Sequence, residues 1–192
     1  MAKKKASKSK IPSSKIPTSK IPVASAPKKK DLKAPTVKPQ EAKAKDKKSS
    51  DIELSVKIYA TSAEIWSALT DKDELEEWWS EGVTLEPKVG GKFREAWEDD
   101  RGTSQLATGK VLAVKAKNEI RFTWREKDWP QEASTECLIQ IEDQKSHRVL
   151  SVVHTGWNKL PEGKRAKLIN DFKVGWGYHL QELKSYLDDG PK

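Results

Sequence analysis

The sequence predicts an α+β domain in which a curved antiparallel sheet packs around one long C-terminal helix, behind a disordered N-terminal tail. Three observations indicate this arrangement. All eight Trp, three Tyr and three Phe of the 192-residue chain follow residue 50, so only the later part can build a core. Several short runs between residues 52 and 154 alternate apolar and polar residues, which is the period of half-buried strands. After residue 161 the apolar period becomes helical.

The first 50 residues differ from the rest in charge. They hold 16 lysines and three acidic residues, a net charge of +13, so the remaining residues carry −5 of the overall +8. They also contain six prolines, and a Ser-Lys-Ile-Pro unit repeats every five residues between Ser9 and Pro22. Such a segment has too little apolar surface to offset chain entropy by burial. We therefore expect residues 1–50 to be a disordered Lys/Pro/Ser-rich tail and residues 51–192 to be the folded domain.

The domain is expected to open with a strand and two short helices. Residues 52–58 alternate apolar and polar side chains over seven positions. The following segment, Thr61-Ser62-Ala63-Glu64, has the form of a capping box, which starts a helix. A second cap follows in Thr70-Asp71-Lys72-Asp73, and apolar residues at helical spacing come after each cap.

The middle of the domain is expected to form an antiparallel meander, because short strand-like runs follow one another with short polar turns between them. Gly90-Gly91, Asp99 to Gly102 and Asn118-Glu119 mark three of these turns. The predicted strands cover residues 93–97, 109–116, 120–125, 135–141 and 149–154.

One long amphipathic helix is expected to close the domain. It starts near Pro161, and its apolar face consists of Leu168, Phe172, Trp176, Leu180, Leu183 and Leu187. Gly175 and Gly177 inside this helix each cost about 1 kcal/mol relative to Ala. We expect a close approach of the helix backbone to the sheet or to a ligand to explain them. The whole order of elements is that of the helix-grip fold.

A set of short motifs runs through residues 52–187. They are Val56-Lys57-Ile58-Tyr59-Ala60, Ala63 to Asp71, Leu75 with Trp78-Trp79, Pro87 to Phe93, Gly109-Lys110-Val111-Leu112, Ile120 to Trp124, and Gly175-Trp176 before Leu180 and Leu183. No single motif is decisive, but their order and spacing together are fairly specific. By these motifs the domain resembles the activator of heat-shock-protein-90 ATPase homologue family of the SRPBCC (START-like) superfamily.

The resemblance implies an apolar cavity between the sheet and the long helix, which relatives use for small hydrophobic ligands or for protein partners. The leading hypothesis is therefore a non-enzymatic binding protein for a small hydrophobic ligand. One alternative is a co-chaperone-like module that binds heat shock protein 90. A second alternative is an enzyme that acts on a hydrophobic small molecule inside the cavity.

Motifs for catalysis, cofactors and metals are not found in the sequence. The three histidines, His147, His154 and His179, are not at metal-ligand spacing, and no phosphate-binding glycine loop or nucleophile elbow is present. The single cysteine, Cys137, excludes an intramolecular disulfide and a cysteine-cluster metal site. His154 and His179 are candidate acid-base groups in the cavity, but a structural role is favoured for a lone histidine. We expect no cofactor and no metal.

Aromatic side chains are the main candidates for ligand contact, because aromatic walls with a few polar groups are typical of small-molecule pockets. We expect Trp66, Trp78, Trp97, Trp124 and Trp176 to be buried by their position in the apolar pattern, and Trp129 and Trp157, near turns, to be exposed or to line an entrance. The predicted ligand cavity consists of Phe93, Trp97, Phe122, Trp124, Cys137, His154 and Trp176.

The tail and the hydropathy of the chain indicate partners and location. Sixteen lysines can neutralise nucleic-acid phosphates or another polyanion, but without arginine or aromatic residues they cannot read a base sequence. Nonspecific polyanion contact and a purely solubilising tail therefore remain open.

No apolar run approaches the roughly 18 residues that span a bilayer, and no secretory h-region follows the basic N-terminus. We expect a cytoplasmic protein.

Overall fold

The computed structural model describes residues 51–99 and 102–189. The predicted tail, residues 1–50, lies outside the described residues. The elements are, in chain order, strand β1 (Ile52–Ile58), helices α1 (Ser62–Thr70) and α2 (Lys72–Trp78), strands β2 (Thr84–Leu85), β3 (Lys92–Glu98), β4 (Ser104–Lys115), β5 (Glu119–Glu126), β6 (Thr135–Asp143) and β7 (Arg148–Thr155), a short 3-10 turn (Trp157–Lys159) and helix α3 (Glu162–Asp189).

The seven strands form one antiparallel sheet in the order β1-β7-β6-β5-β4-β3-β2. Strands β3 to β7 are a simple meander, and β1 pairs with the last strand of that meander. The first strand therefore lies at one edge and the two-residue β2 at the other. This arrangement, with α3 against the sheet, confirms the predicted helix-grip fold.

Local capping explains the two short helices. Thr61 accepts a hydrogen bond from the Glu64 backbone N–H, and the Glu64 carboxylate accepts one from the Thr61 backbone N–H, which completes the predicted capping box. Asp71 ends α1 and begins α2, because its side chain accepts hydrogen bonds from the backbone N–H groups of Asp73 and Glu74. One aspartate therefore separates the two helices without a loop.

Strand β4 begins five residues before its predicted start. The sequence predicts Gly109 as the start of the strand, but Gly109 lies inside β4, where a Cβ atom would be only 1.7 Å from the carbonyl oxygen of Thr123. The absence of a side chain permits this close approach of two strands. A register shift between Val111 and Ala113 bends the sheet just beyond it.

Of the two expected explanations for the helix glycines, a close approach of the helix backbone to the sheet is wrong, and a close approach to a ligand stays a prediction. A Cβ atom at Gly175 or Gly177 would meet no heavy atom of a neighbouring element within 4 Å. Close approach to the sheet therefore does not account for either residue. The two glycines instead lower the helix propensity of α3 on both sides of Trp176, whose indole is buried.

Candidate functional site

The space between α3 and the concave face of the sheet is filled mainly by aromatic rings. The rings of Phe93 and Trp124 have centroids 4.7 Å apart, and Phe93 and Phe122 lie 4.8 Å apart. From the helix, Trp176 packs edge-on against Trp124 with a centroid distance of 5.8 Å. We call these rings, together with Trp79, His154, Trp157, Phe172 and His179, the aromatic cluster.

His154 is the hydrogen-bonding centre of this cluster. Trp176 Nε1 donates to His154 Nδ1 at 3.0 Å, and His154 Nε2 lies 2.7 Å from Thr135 Oγ1. Because Nδ1 accepts a hydrogen bond, the ring proton is on Nε2, and this N–H donates a hydrogen bond to Thr135 Oγ1. The Thr135 hydroxyl in turn donates to the Trp124 carbonyl at 3.3 Å. Burial lowers the pKa of His154 to about 3, so the ring is neutral.

The predicted cavity residues are brought together on the concave side, with one of them at the margin. Five are fully or almost fully buried: Phe93, Phe122, Trp124, Cys137 and His154. Trp176 is buried and faces the same space from α3. The expectation that Trp66 and Trp97 are buried is wrong, because both are half-buried and pack at the margin of the core. Whether these residues contact a ligand remains a prediction.

A small cavity lies between α3 and the sheet. It has room for about one water molecule, with a volume near 10 Å³. Its wall includes Trp79, Trp176 and His179, and is completed by Leu69, Trp78, Ile139, Leu150, Val152, Leu180 and Leu183. Of the seven predicted residues, Trp176 is in this wall. A drug-sized ligand needs a cavity of hundreds of Å³, so it requires movement of the surrounding side chains or of α3.

Several polar atoms in this region are buried without a hydrogen-bond partner among the described residues. They include the indole nitrogens of Trp79 and Trp124 and Nδ1 of His179. Buried polar atoms in native proteins almost always have a partner, so three unpaired atoms around one core are informative. Burial also lowers the pKa of His179 to about 4, which keeps this ring neutral at physiological pH.

Two glutamates on the concave face were not among the predicted site residues. Glu95 on β3 is 6% exposed, and burial raises its pKa to about 7 against a partial lowering by the Trp79 indole. That indole N–H approaches the carboxyl group without completing a hydrogen bond. Burial likewise raises the pKa of Glu126 on β5 to about 7. The alternation of both strands contained the signal, since Glu95 follows Phe93 and Glu126 follows Trp124 at a spacing of two.

The expectation that Trp129 and Trp157 are exposed or line an entrance is wrong. Trp157 is completely buried, because the 3-10 turn directs it under β7, where its indole donates to the His154 carbonyl at 2.8 Å. Trp129 is 7% exposed and packs on Trp157 with a centroid distance of 6.2 Å. Their positions near turns gave no indication of these tertiary contacts.

Among the described residues, a metal site, a reactive thiol and a membrane-spanning helix each lack a feature that they require. Within residues 51–99 and 102–189, no group of three or more His, Cys, Asp or Glu side chains is arranged to hold a metal ion. Burial and the nearby Glu95 raise the pKa of Cys137, so its thiol is a poor nucleophile. None of the described helices combines the length and the apolar character needed to cross a membrane.

Solved structures with the same fold are similar to most of the chain at low sequence identity. Protein MLL2253 from Mesorhizobium loti is 19% identical, with a TM-score of 0.60 over 74% of this chain and 99% of that one. The Aha1 dimer from Colwellia psychrerythraea is 20% identical, with a TM-score of 0.59 over 74% and 98%. DynU16, from the dynemicin biosynthetic locus, is 19% identical, with a TM-score of 0.58 over 74% of this chain and 48% of that one. At these identities the likeness establishes the fold alone.

The family is established by a separate comparison. No curated protein sequence matches the chain. Residues 59–188, which are most of the predicted domain, match the family described as activator of Hsp90 ATPase homolog 1-like protein. This match confirms the resemblance drawn from the sequence motifs. The chain belongs to the family of activator of Hsp90 ATPase homolog 1-like proteins.

Proposed function

We propose that the domain is a non-enzymatic binding protein that takes up a small, largely apolar ligand between α3 and the concave face of the sheet. The observation that carries this proposal is the set of buried polar atoms without partners inside an aromatic core. Trp79 Nε1, Trp124 Nε1 and His179 Nδ1 lie where water is nearly excluded, and a ligand with a matching donor or acceptor would satisfy them.

The ligand would enter by displacing side chains around the small cavity. Trp176 and His179 belong to the wall of that cavity, and both lie on α3 close to Gly175 and Gly177. The two glycines weaken the helix at this point, which favours local bending of α3 away from the sheet. The small cavity of about 10 Å³ would then be the unliganded arrangement.

The histidines support binding in preference to catalysis. Both ring nitrogens of His154 are engaged in hydrogen bonds, so the ring is not free to exchange protons with a ligand. Its lowered pKa also makes it a weak base. His154 therefore has a structural role in the proposed site, where it holds Trp176 and Thr135 in place.

A retained ligand is the direct test. Native mass spectrometry of the full chain, purified gently from its own host, should reveal a bound small molecule that is lost on denaturation. Titration with the neutral aromatic probe 2-naphthol should raise the melting temperature and change tryptophan fluorescence. Leu180→Phe fills the cavity and should abolish both effects, whereas the control Leu187→Phe, outside the cavity wall, should preserve them.

Two other outcomes would change the conclusion. Absence of a retained molecule together with no response to the probe would refute the binding proposal. Co-purification of Hsp90 in place of a small molecule would favour a co-chaperone role, which the family relation makes the main alternative. Turnover of a retained molecule would favour an enzyme.

We also propose that the lysine-rich residues 1–50 provide nonspecific contact with nucleic acid or another polyanion. This proposal rests on composition: the segment carries +13 and the rest of the chain −5. The excess of positive charge in this segment favours contact with phosphates, and the lack of arginine and aromatic residues disfavours recognition of a base sequence.

A further inference from the structure

Glu95 and Glu126 lie in one row across three neighbouring strands. Ala107 on β4 is the register partner of Glu95 on β3 and also of Glu126 on β5. Directly paired residues of antiparallel strands point to the same side of the sheet. The two glutamates are therefore about 10 Å apart at Cα, two strand spacings, with only the methyl group of Ala107 between them.

Neither carboxyl group has a cationic partner among the described residues. Every ion pair found in this part of the chain involves other acids. Besides burial, the groups that affect the pKa of Glu95 are the Trp79 indole and Glu126, and those that affect the pKa of Glu126 are the Trp129 indole and Asp128. A glutamate as buried as Glu95 is almost always paired with a cation, so this absence calls for an explanation.

The carboxyl groups are connected to the small cavity through Trp79. The ring of Trp79 is part of the cavity wall. The N–H of the same indole has no hydrogen-bond partner among the described residues and approaches the carboxyl group of Glu95. Trp79 also packs on Phe93, two residues before Glu95, with a centroid distance of 6.1 Å. Movement of Trp79 would join the apolar cavity to the acidic end of the concave face.

We propose that Glu95 and Glu126 form a subsite for the ammonium group of an apolar amine, whose hydrocarbon part occupies the space between α3 and the sheet. This inference rests on the proposed ligand-binding function and specifies its ligand class. An ammonium group has three donors, so it can bridge two carboxylates, and such charge-assisted hydrogen bonds are among the strongest in proteins.

Other ligand classes fit this arrangement less well. A carboxylate or phosphate would be repelled by two acids. A divalent metal ion prefers six or more oxygen ligands, and the described residues provide no third acid or histidine in a metal-holding group here. A neutral alcohol would leave both carboxylates without a counter-charge.

A pair of nearly isosteric probes tests the proposal. The protonated amine 2-phenylethylamine and the neutral 2-phenylethanol are titrated onto the full chain by calorimetry at pH 8. We expect the amine to bind at least about tenfold more tightly than the alcohol. Glu95→Gln and Glu126→Gln should each reduce this preference strongly, whereas the exposed control Glu142→Gln should leave it unchanged.

The proton balance provides a second readout. Since both carboxyl groups have a pKa of about 7, binding of the amine should release protons near neutral pH, and its affinity should rise between pH 6 and pH 8. In Glu95→Gln the proton release should decrease. A folded variant is recognised by its cooperative thermal unfolding.

The outcomes separate this inference from the function on which it rests. If 2-phenylethanol binds as tightly as the amine, or if the preference survives in both glutamine variants, the amine subsite is wrong while ligand binding stands. If neither probe binds at millimolar concentration, the amine subsite is also wrong. Binding of 2-naphthol then decides separately whether the proposed function stands.

Discussion

Trp176 Nε1 and His154 Nδ1 are joined by a hydrogen bond of 3.0 Å that connects the closing helix to the last strand. Both residues were predicted from the sequence to face a ligand cavity. The bond uses one side of the His154 ring, and Thr135 uses the other. The pair therefore holds the helix against the sheet, which makes it a structural contact that any opening of α3 has to break.

Loss of this bond should destabilise the domain. Trp176→Phe keeps an aromatic ring but leaves His154 Nδ1 without a donor, so we expect the free energy of unfolding to fall by about 1–3 kcal/mol. Urea denaturation measures the change. Trp66→Phe is the matched control, because its indole makes no hydrogen bond in the described part of the chain, and a loss of equal size in this variant would contradict the assignment.

The protonation state of His154 can be observed directly. Its folded pKa of about 3 lies below the ordinary value of 6.5, so between these values the unfolded chain takes up a proton that the folded protein does not. The stability that the neutral His154 ring contributes is therefore complete above pH 6.5 and is lost as the pH falls from 6.5 toward 3. Nitrogen-15 NMR should detect a neutral ring protonated at Nε2 from pH 8 down to pH 5, with His154→Gln used to assign its signals. Titration of that signal near pH 6.5 would contradict the buried network.

Glu95 should affect stability in the opposite direction. Its folded pKa of about 7 exceeds the ordinary 4.5, so the folded state holds the proton more strongly, and stability is lost as the pH rises from 4.5 through 7. Between pH 4 and pH 8 the wild type should lose up to about 3 kcal/mol more than Glu95→Gln. Denaturation at several pH values tests this, with the exposed Glu142→Gln expected to follow the wild type. Parallel curves for Glu95→Gln and the wild type would show that Glu95 is ionised freely.

Two glycine substitutions should have opposite effects. At Gly109 a Cβ atom would lie 1.7 Å from the Thr123 carbonyl oxygen, so Gly109→Ala should destabilise the domain by at least about 3 kcal/mol. Gly175→Ala points into open space on a helix and should stabilise it by about 1 kcal/mol. Thermal unfolding of both variants makes the comparison. Destabilisation by Gly175→Ala would indicate a contact that the structure lacks.

The lysine-rich segment should bind polyanions in a salt-sensitive way. Each phosphate that it neutralises adds about 0.9 to the slope of log affinity against log salt concentration on duplex DNA. The full chain should therefore bind unrelated duplexes equally at low salt and weakly near physiological salt, whereas residues 51–192 should not bind. Residues 51–192 alone should also retain the thermal unfolding of the domain, since the lysine-rich segment offers few apolar side chains and no aromatic ones. Equal binding by both proteins, or preference for one duplex, would contradict the proposal.

Local sequence determined the elements of this fold. The alternation of residues 52–58, the capping box at Thr61 and the helical spacing from Leu168 to Leu187 each depend on contacts within a few residues, so they are visible in the chain itself. The short polar turns between strand-like runs predicted an antiparallel meander, which the sheet confirms for β3 to β7. The grouping of Phe93, Phe122 and Trp124 followed from the same alternation.

Tertiary structure decided how these elements close on one another, because that depends on distances between residues far apart in the chain. Trp157 near a turn is buried only because the chain folds it under β7, and Gly109 is needed only because Thr123 passes beside it. Glu95 and Glu126 are 31 positions apart, and the pairing of both with Ala107 brings the buried Glu95 and the half-buried Glu126 into one row. The sequence by itself determined that the concave face is aromatic, whereas only the packing of α3 reduced the space beneath it to the size of a water molecule.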